Sequence, residues 1–323
     1  MELQKLLEEH NYDTVGNFLD FYDNFKESHM RSVIEFFHSY SPKLTPDHYT
    51  CVGLALELRH RLMKLEKSYS NIKNHLCIVS CEENIESVDG YTALRDTFDT
   101  MPSTLEKEHC LMCLKFDING RSGVLLCDPG YHVARVVTVM SDRAYPHTGW
   151  FVQSEESGVR KEYNYTLCSS KGAFVQWDEK TTKNGSKEEF TGIVYVERPY
   201  LTAVDVTERR NIIYPFRSLL SRDQKGHLIA GVYFKIKPKN DEFTVFYQDM
   251  GKQRVKMNFS ALLRPEIDED SMRKLDIANE QLRMPKGKLL GILQRCAIIL
   301  SDDHYLRETL AVENLINVMS ENN

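Results

Sequence analysis

The sequence predicts an α+β chain, helical towards both ends and rich in strands between them. Three observations carry this. Apolar residues recur every three or four positions over residues 2–40, over 51–69 and again beyond 268. Between about residues 75 and 250 the pattern changes to alternation, punctuated by Asn-Gly and other glycine-containing turns. There is no internal repeat and no recurring strand–helix–strand unit, which argues against a parallel, doubly wound sheet.

In chain order, "MELQKLLEEH" and "TVGNFLDFYDNFKESHMRSVIEFFHSY" read as amphipathic helices, and "SPKLTPDHYT" interrupts them with two prolines. "CVGLALELRHRLMKLEKSY" is helical again, with Leu54, Leu58, Leu62 and Leu65 on one stripe. "HLCIVSC", "EHCLMCLKFDI" and "RSGVLLCDPG" read as strands, the last two joined by a hairpin at "DINGRSG". The polar stretch 82–107 reads as a surface excursion. Further strands follow at "HVARVVTVM", "GWFVQS", "RKEYNYTLCSS", "AFVQWDEKT" and "FTGIVYVERPY", with a turn at "TKNGSKEE". "HLIAGVYFKIKP" and "EFTVFYQD" form one more hairpin through "PKND", and two helices span about 268–284 and 286–318. The expected organisation is an N-terminal helical domain over 1–75, a barrel-like β domain over 76–205 and a C-terminal part over 206–323 whose helices form a lid-like extension.

Bulk properties narrow the function classes. A net charge of −6 provides no footprint for nucleic acid or acidic lipid. Apolar runs such as "CAIIL" are too short to cross a bilayer, and the acidic start "MELQKLLEEH" is not a secretory signal, so a cytoplasmic chain is expected. In a reducing compartment its eight cysteines are expected as free thiols. Most lie in apolar strand-like runs, where a thiol serves as a compact buried side chain. Cys51 differs, because it follows the polar "DHYT" and opens a helix.

Three residue types stand in a suggestive order. Cys51 sits at a helix N-terminus, whose free N–H groups and partial positive charge lower a thiol pKa. His109 begins a strand, and Asp128 ends the next one before Pro129-Gly130. A hairpin would set the two side by side, so that the carboxylate orients the imidazole and the imidazole activates the thiol. A helix followed by two paired strands is the layout of papain-like and transglutaminase-like cysteine catalysts. His48 and Tyr49, just before Cys51, and Tyr131 and His132, just after Asp128, are the candidate substrate-binding residues; an exposed-loop role is open for them too.

The stretch "HCLMCLKFDINGRSGVLLCDPGY" resembles the arylamine N-acetyltransferase family, which carries a histidine-led strand, a hairpin and a strand ending Asp-x-Gly-aromatic. His109, Asp128, Gly130 and Tyr131 fall on those places, and Cys51 falls on the family's nucleophile. The strand-rich middle resembles the family's barrel, and "NIIYPFRSLLSRDQKGHLIAGVYFKI" resembles its later segment. The order of elements agrees over roughly 15–265, with strong residue matches at only about 25 positions. The family's Arg-Gly-Gly before the cysteine is here Asp47, His48 and Tyr49, and its Glu and Asn after it are Gly53 and Ala55. His132 stands where the family has a small residue. The resemblance implies ping-pong acyl transfer from acetyl-CoA or another acyl-CoA to a small amine-type acceptor, without a metal, nucleic acid or membrane. A transglutaminase-like hydrolase and a catalytically inactive binding protein are the alternatives.

Competing sites are weaker. His75, Cys77 and Cys81, or His109, Cys110 and Cys113, have the residue types of zinc ligands, but neither set lies in a knuckle turn. Cys110 and Cys113 also point to opposite faces of a strand. "DINGRSG" has neither the spacing nor the lysine of a phosphate-binding loop.

Overall fold

The computed structural model describes residues 1–45, 47–97, 109–130, 133–156, 158–168 and 172–321. Its elements in chain order are α1 (Glu2–Glu9), β1 (Tyr12–Asp13), α2 (Gly16–Glu27), α3 (Val33–Ser39), α4 (Cys51–Met63), β2 (Leu76–Glu82), α5 (Val88–Thr97), β3 (His109–Ile118) and β4 (Arg121–Cys127). There follow β5 (Val136–Met140), β6 (Phe151–Glu156), β7 (Val159–Leu167), β8 (Phe174–Lys183), β9 (Ser186–Tyr195), α6 (Arg209–Ile213), β10 (Phe216–Arg222), β11 (Leu228–Lys235) and β12 (Glu242–Gln248). The last are β13 (Lys252–Asn258), α7 (Glu269–Gln281), α8 (Lys288–Leu300) and α9 (Asp303–Glu321). The chain is therefore mixed α and β, as expected.

Contacts divide the chain into two compact units rather than three consecutive segments: residues 1–6 with 51–207, and residues 7–50 with 208–323. Residues 7–50 thus cluster with the C-terminal half, whereas α4 clusters with the strands that follow it. The reason is where each apolar face is buried. Val15, Phe18, Phe21, Phe25, Phe36 and Phe37 share one core with residues of β11, β12, α7, α8 and α9.

The first unit is built on one eight-stranded sheet, ordered β5-β4-β3-β2-β9-β8-β7-β6. Its neighbours pair antiparallel throughout. The right-handed twist of paired strands curls it into a half-barrel, so that β5 approaches β7. Inside lie Val79, Leu111, Val124, Leu126, Tyr163, Trp177 and their neighbours. Two Asn-Gly hairpins set the register. Ile118 pairs with Arg121 around Asn119-Gly120, and Lys183 with Ser186 around Asn184-Gly185. Both central residues of each turn have positive φ, the geometry that two-residue hairpins demand and that Asn-Gly tolerates best. α4 packs against β2 and β3.

The second unit carries a five-stranded sheet, ordered β1-β10-β11-β12-β13. Arg217 of β10 is wholly buried there. Its guanidinium donates to the carbonyls of Thr14 at 3.1 Å, Asn211 at 2.5 Å and Ile212, and lies 4.8 Å from the Phe18 ring centre. Burial lowers its pKa to about 10.

Local differences from the sequence reading have physical causes. The stretch read as one helix over 286–318 is two, because Asp302 starts a new helix by accepting the Tyr305 N–H at 3.0 Å. The excursion at 82–107 includes α5; residues 98–108 lie outside the described residues. Cys77 and Cys168, expected to be buried in strands, are half-buried.

Candidate active site

α4 mounts the cysteine. Its first residues, Cys51, Val52, Gly53, Leu54 and Ala55, are all buried, as is Leu58 one turn on. Burying each leucine is worth about 1.5–3 kcal/mol, which ties the helix to the sheet beneath it. The Arg59 Nε donates to the Leu76 carbonyl at 3.1 Å and fixes α4 at the start of β2. His60 and Arg61 occupy the last turn, where the helix dipole favours cations. Its other end presents Cys51.

The hairpin of β3 and β4 mounts the other two residues. His109 is the first residue of β3 and faces Cys81 across β2. Asp128 directly follows β4. Because Met112 pairs with Cys127, the register returns Asp128 to the beginning of β3. One carboxylate oxygen, Oδ1, accepts the Gly130 N–H at 2.9 Å, and Oδ2 lies 3.1 Å from His109 Nε2. The carboxylate is thus pinned on one side while it orients the imidazole on the other. The Cys51 thiol hydrogen-bonds the same ring.

Gly130 closes the cluster. A Cβ built on it would lie 3.1 Å from each of Asp128 Oδ1, Cys51 Cβ and His109 Cε1. The three side chains therefore meet around a position that carries no side chain of its own.

The electrostatics follow from burial and pairing. Cys51, His109 and Asp128 are 2%, 4% and 6% exposed. The Cys51 thiol is held well below its usual pKa, first by a hydrogen bond from the Cys110 thiol, then by the charge and hydrogen bond of His109 and by the Cys110 backbone N–H; together they outweigh burial. Burial alone would lower the imidazole of His109, but the charges of Asp128 and Cys51 and hydrogen bonds to both raise it well above its usual value. Both shifts favour a thiolate–imidazolium pair. Such an arrangement supplies a nucleophile, a proton acceptor and donor, and a group that holds it in place.

Cys110 is the residue that sequence reasoning misses, because the chain offers it only as a buried strand thiol or a weak zinc-ligand candidate. Its place directly after the histidine was the available signal. His48 and Tyr49 belong to the second unit. His48 Nε2 lies 3.4 Å from Asp20, its Nδ1 lies 3.2 Å from the Thr45 hydroxyl, and the Tyr49 ring is tilted against that of His10 with centres 5.1 Å apart. Both line a cavity of about 570 Å³ with His10, Asp13, Asp20 and Arg283. Tyr131 and His132 lie outside the described residues. Among the described residues, no group of three or more His, Cys, Asp or Glu side chains could hold a metal ion, and no helix is long and apolar enough to cross a membrane.

No protein-family model, curated protein or solved structure matches this chain.

Proposed function

We propose that the chain is a cysteine-dependent acyltransferase working through Cys51, His109 and Asp128, with an acyl-CoA as donor and a small amine as acceptor. The observation that carries the reading is the contact of a helix-start thiol with an imidazole whose Nε2 is held 3.1 Å from a buried carboxylate. The resemblance of residues 109–131 to the arylamine N-acetyltransferases supplies the reaction class.

In the first half-reaction the Cys51 thiolate attacks the thioester carbonyl. The tetrahedral intermediate collapses, the carbon–sulfur bond to CoA breaks, and the departing thiolate takes the proton from the His109 imidazolium. In the second, the amine attacks the acyl-cysteine. His109 accepts its proton, and Cys51 leaves as a thiolate. Asp128 keeps the ring in the tautomer and orientation that both halves need.

Intact-mass spectrometry after incubation with acetyl-CoA tests this. One acetyl group should appear on Cys51, disappear when an arylamine or hydrazine is added, and be absent from Cys51→Ala. If no acyl-CoA of any chain length acylates Cys51, acyl transfer is refuted; cleavage of peptide or glutamine amides would then identify a transglutaminase-like hydrolase, and its absence an inactive binding protein.

A further inference from the structure

We propose that Cys77 and Cys113 form a thiol–disulfide exchange site for low-molecular-weight disulfides. The site is distinct from the acyltransferase residues and does not depend on that reading.

The two residues are directly opposed on β2 and β3. Opposed residues of antiparallel strands have Cα atoms about 4.5–5.5 Å apart, within the range of about 4.4–6.8 Å that a disulfide spans. Their thiols are near enough for each to act on the other's titration. Their exposure is unequal: Cys77 is half-buried, whereas Cys113 is wholly buried. One thiol can therefore meet a reagent from solution, and the other can be reached only through it.

Two cations are fixed nearby by backbone carbonyls. Arg59 donates to Leu76, the neighbour of Cys77, at 3.1 Å. Lys115, two residues beyond Cys113 on the same strand face, donates to the Glu197 carbonyl at 2.7 Å. The Cys113 hydrogen bond first, and then Lys115 and Arg59, lower the Cys77 thiol to about 7, against burial. Cys113 is pushed well up, first by its hydrogen bond to Cys77 and then by burial. An attacking thiol is most effective with a pKa near the ambient pH, and a protonated neighbour is held in reserve.

The steps balance. The Cys77 thiolate attacks one sulfur of R–S–S–R; that bond breaks, and the first R–S⁻ leaves and takes up a proton. Cys113 loses its proton and attacks the Cys77 sulfur of the mixed disulfide, expelling the second R–S⁻. The protein loses two hydrogens as the Cys77–Cys113 bond forms, and the reagent gains them as two R–SH. Opposed Cβ atoms stand about 4.5–5.5 Å apart, but a disulfide draws them to about 3.5–4.5 Å. The strands must tighten, so the bond is strained and readily reduced, as suits a reversible site.

The second thiol pair in contact, Cys51 with Cys110, is 2% and 0% exposed and so lacks the unequal exposure of Cys77 and Cys113. Cys168 is the other half-buried thiol, and burial raises its pKa.

The test is incubation of the full chain with oxidised glutathione at neutral pH, followed by peptide mass mapping without reduction. The native chain should yield a Cys77–Cys113 link that retains no glutathione and is reversed by dithiothreitol. Cys113→Ser should stop at a glutathione adduct on Cys77, formed about tenfold faster than any adduct on Cys168, because far more of Cys77 is thiolate at that pH. Cys77→Ala should give neither product. A Cys51–Cys110 bond formed first, a lasting glutathione adduct on Cys77 of the native chain, or no reaction of a chain shown to be folded by circular dichroism would each overturn the proposal.

Discussion

Gly130→Ala is the most direct probe of the site. The added methyl carbon would stand 3.1 Å from three separate atoms, whereas ordinary contact begins at 3.4 Å, so each neighbour must yield by about 0.3 Å. None yields freely. Asp128 is held by the Gly130 N–H and by His109, His109 by Asp128 and Cys51, and Cys51 by the buried start of α4. Overpacking of this kind costs about 1–3 kcal/mol, so the unfolding free energy from urea titration should fall by that amount. The imidazole is the part that a small shift hurts most, since its 3.1 Å contact with Asp128 lengthens as the ring is displaced. Weaker pairing removes part of what lowers the Cys51 thiol, so its titration midpoint, read from the Cβ carbon resonance, should rise towards that of an ordinary cysteine. A variant within about 0.5 kcal/mol of the native chain, with an unmoved Cys51 midpoint, would refute the idea that the glycine makes room for a close-set triad.

Further predictions concern the same residues and one element of the second unit. Asp128→Asn should lower the His109 titration midpoint in nitrogen NMR and slow acyl transfer by up to about ten-thousand-fold, the loss seen when a Ser-His-Asp triad is altered in this way; an unchanged midpoint would exclude the carboxylate as the cause of the shift. The lowered thiol and raised imidazole also fix the sign of the pH dependence. Acylation of Cys51 should be lost as pH falls through the lowered thiol value and the thiolate is protonated. Proton donation to the leaving group should be lost as pH rises through the raised imidazole value. The rate should therefore stay flat across neutral pH, where an ordinary thiol of pKa about 8.5 gives a rising one; a rate climbing steadily from pH 6 to 9 would contradict the ion pair. Arg217→Leu should cost about 3 kcal/mol or more in urea, because the carbonyls of Thr14, Asn211 and Ile212 lose a buried donor; a loss below about 1 kcal/mol would show that they find other partners.

The hairpins and the adjacency of His109 and Asp128 could be read from the chain because both depend on local rules. Asn119-Gly120 dictates the turn, the turn dictates the register, and the register brings the end of β4 back to the start of β3. Alternation then predicts which strand residues share a face. The role of Cys110 has one local signal, its place directly after His109; the rest is hidden, since its partner is fifty-nine residues away and belongs to a helix whose docking no local pattern specifies. The half-exposed state of Cys77 was hidden for the same reason. Its strand looks uniformly apolar, and only the folded sheet shows where the cover ends. The grouping of residues 7–50 with 208–323 rests on partners some two hundred positions apart, such as Tyr12 with Leu220.

That last pairing sets a timetable for synthesis. Ribosomes add about 5–20 residues per second, so the segment carrying Phe18, Phe21, Phe25, Phe36 and Phe37 waits on the order of ten to forty seconds for β10 to be made, and longer for α7, α8 and α9. The strands between 76 and 195 can close their hairpins in that interval, because their neighbours are near in sequence. A nascent chain stalled near residue 210 therefore holds the complete half-barrel strand set while five phenylalanines of the second unit still lack their later partners. In that interval chaperone capture is expected to fall on residues 15–40 rather than on β3 and β4.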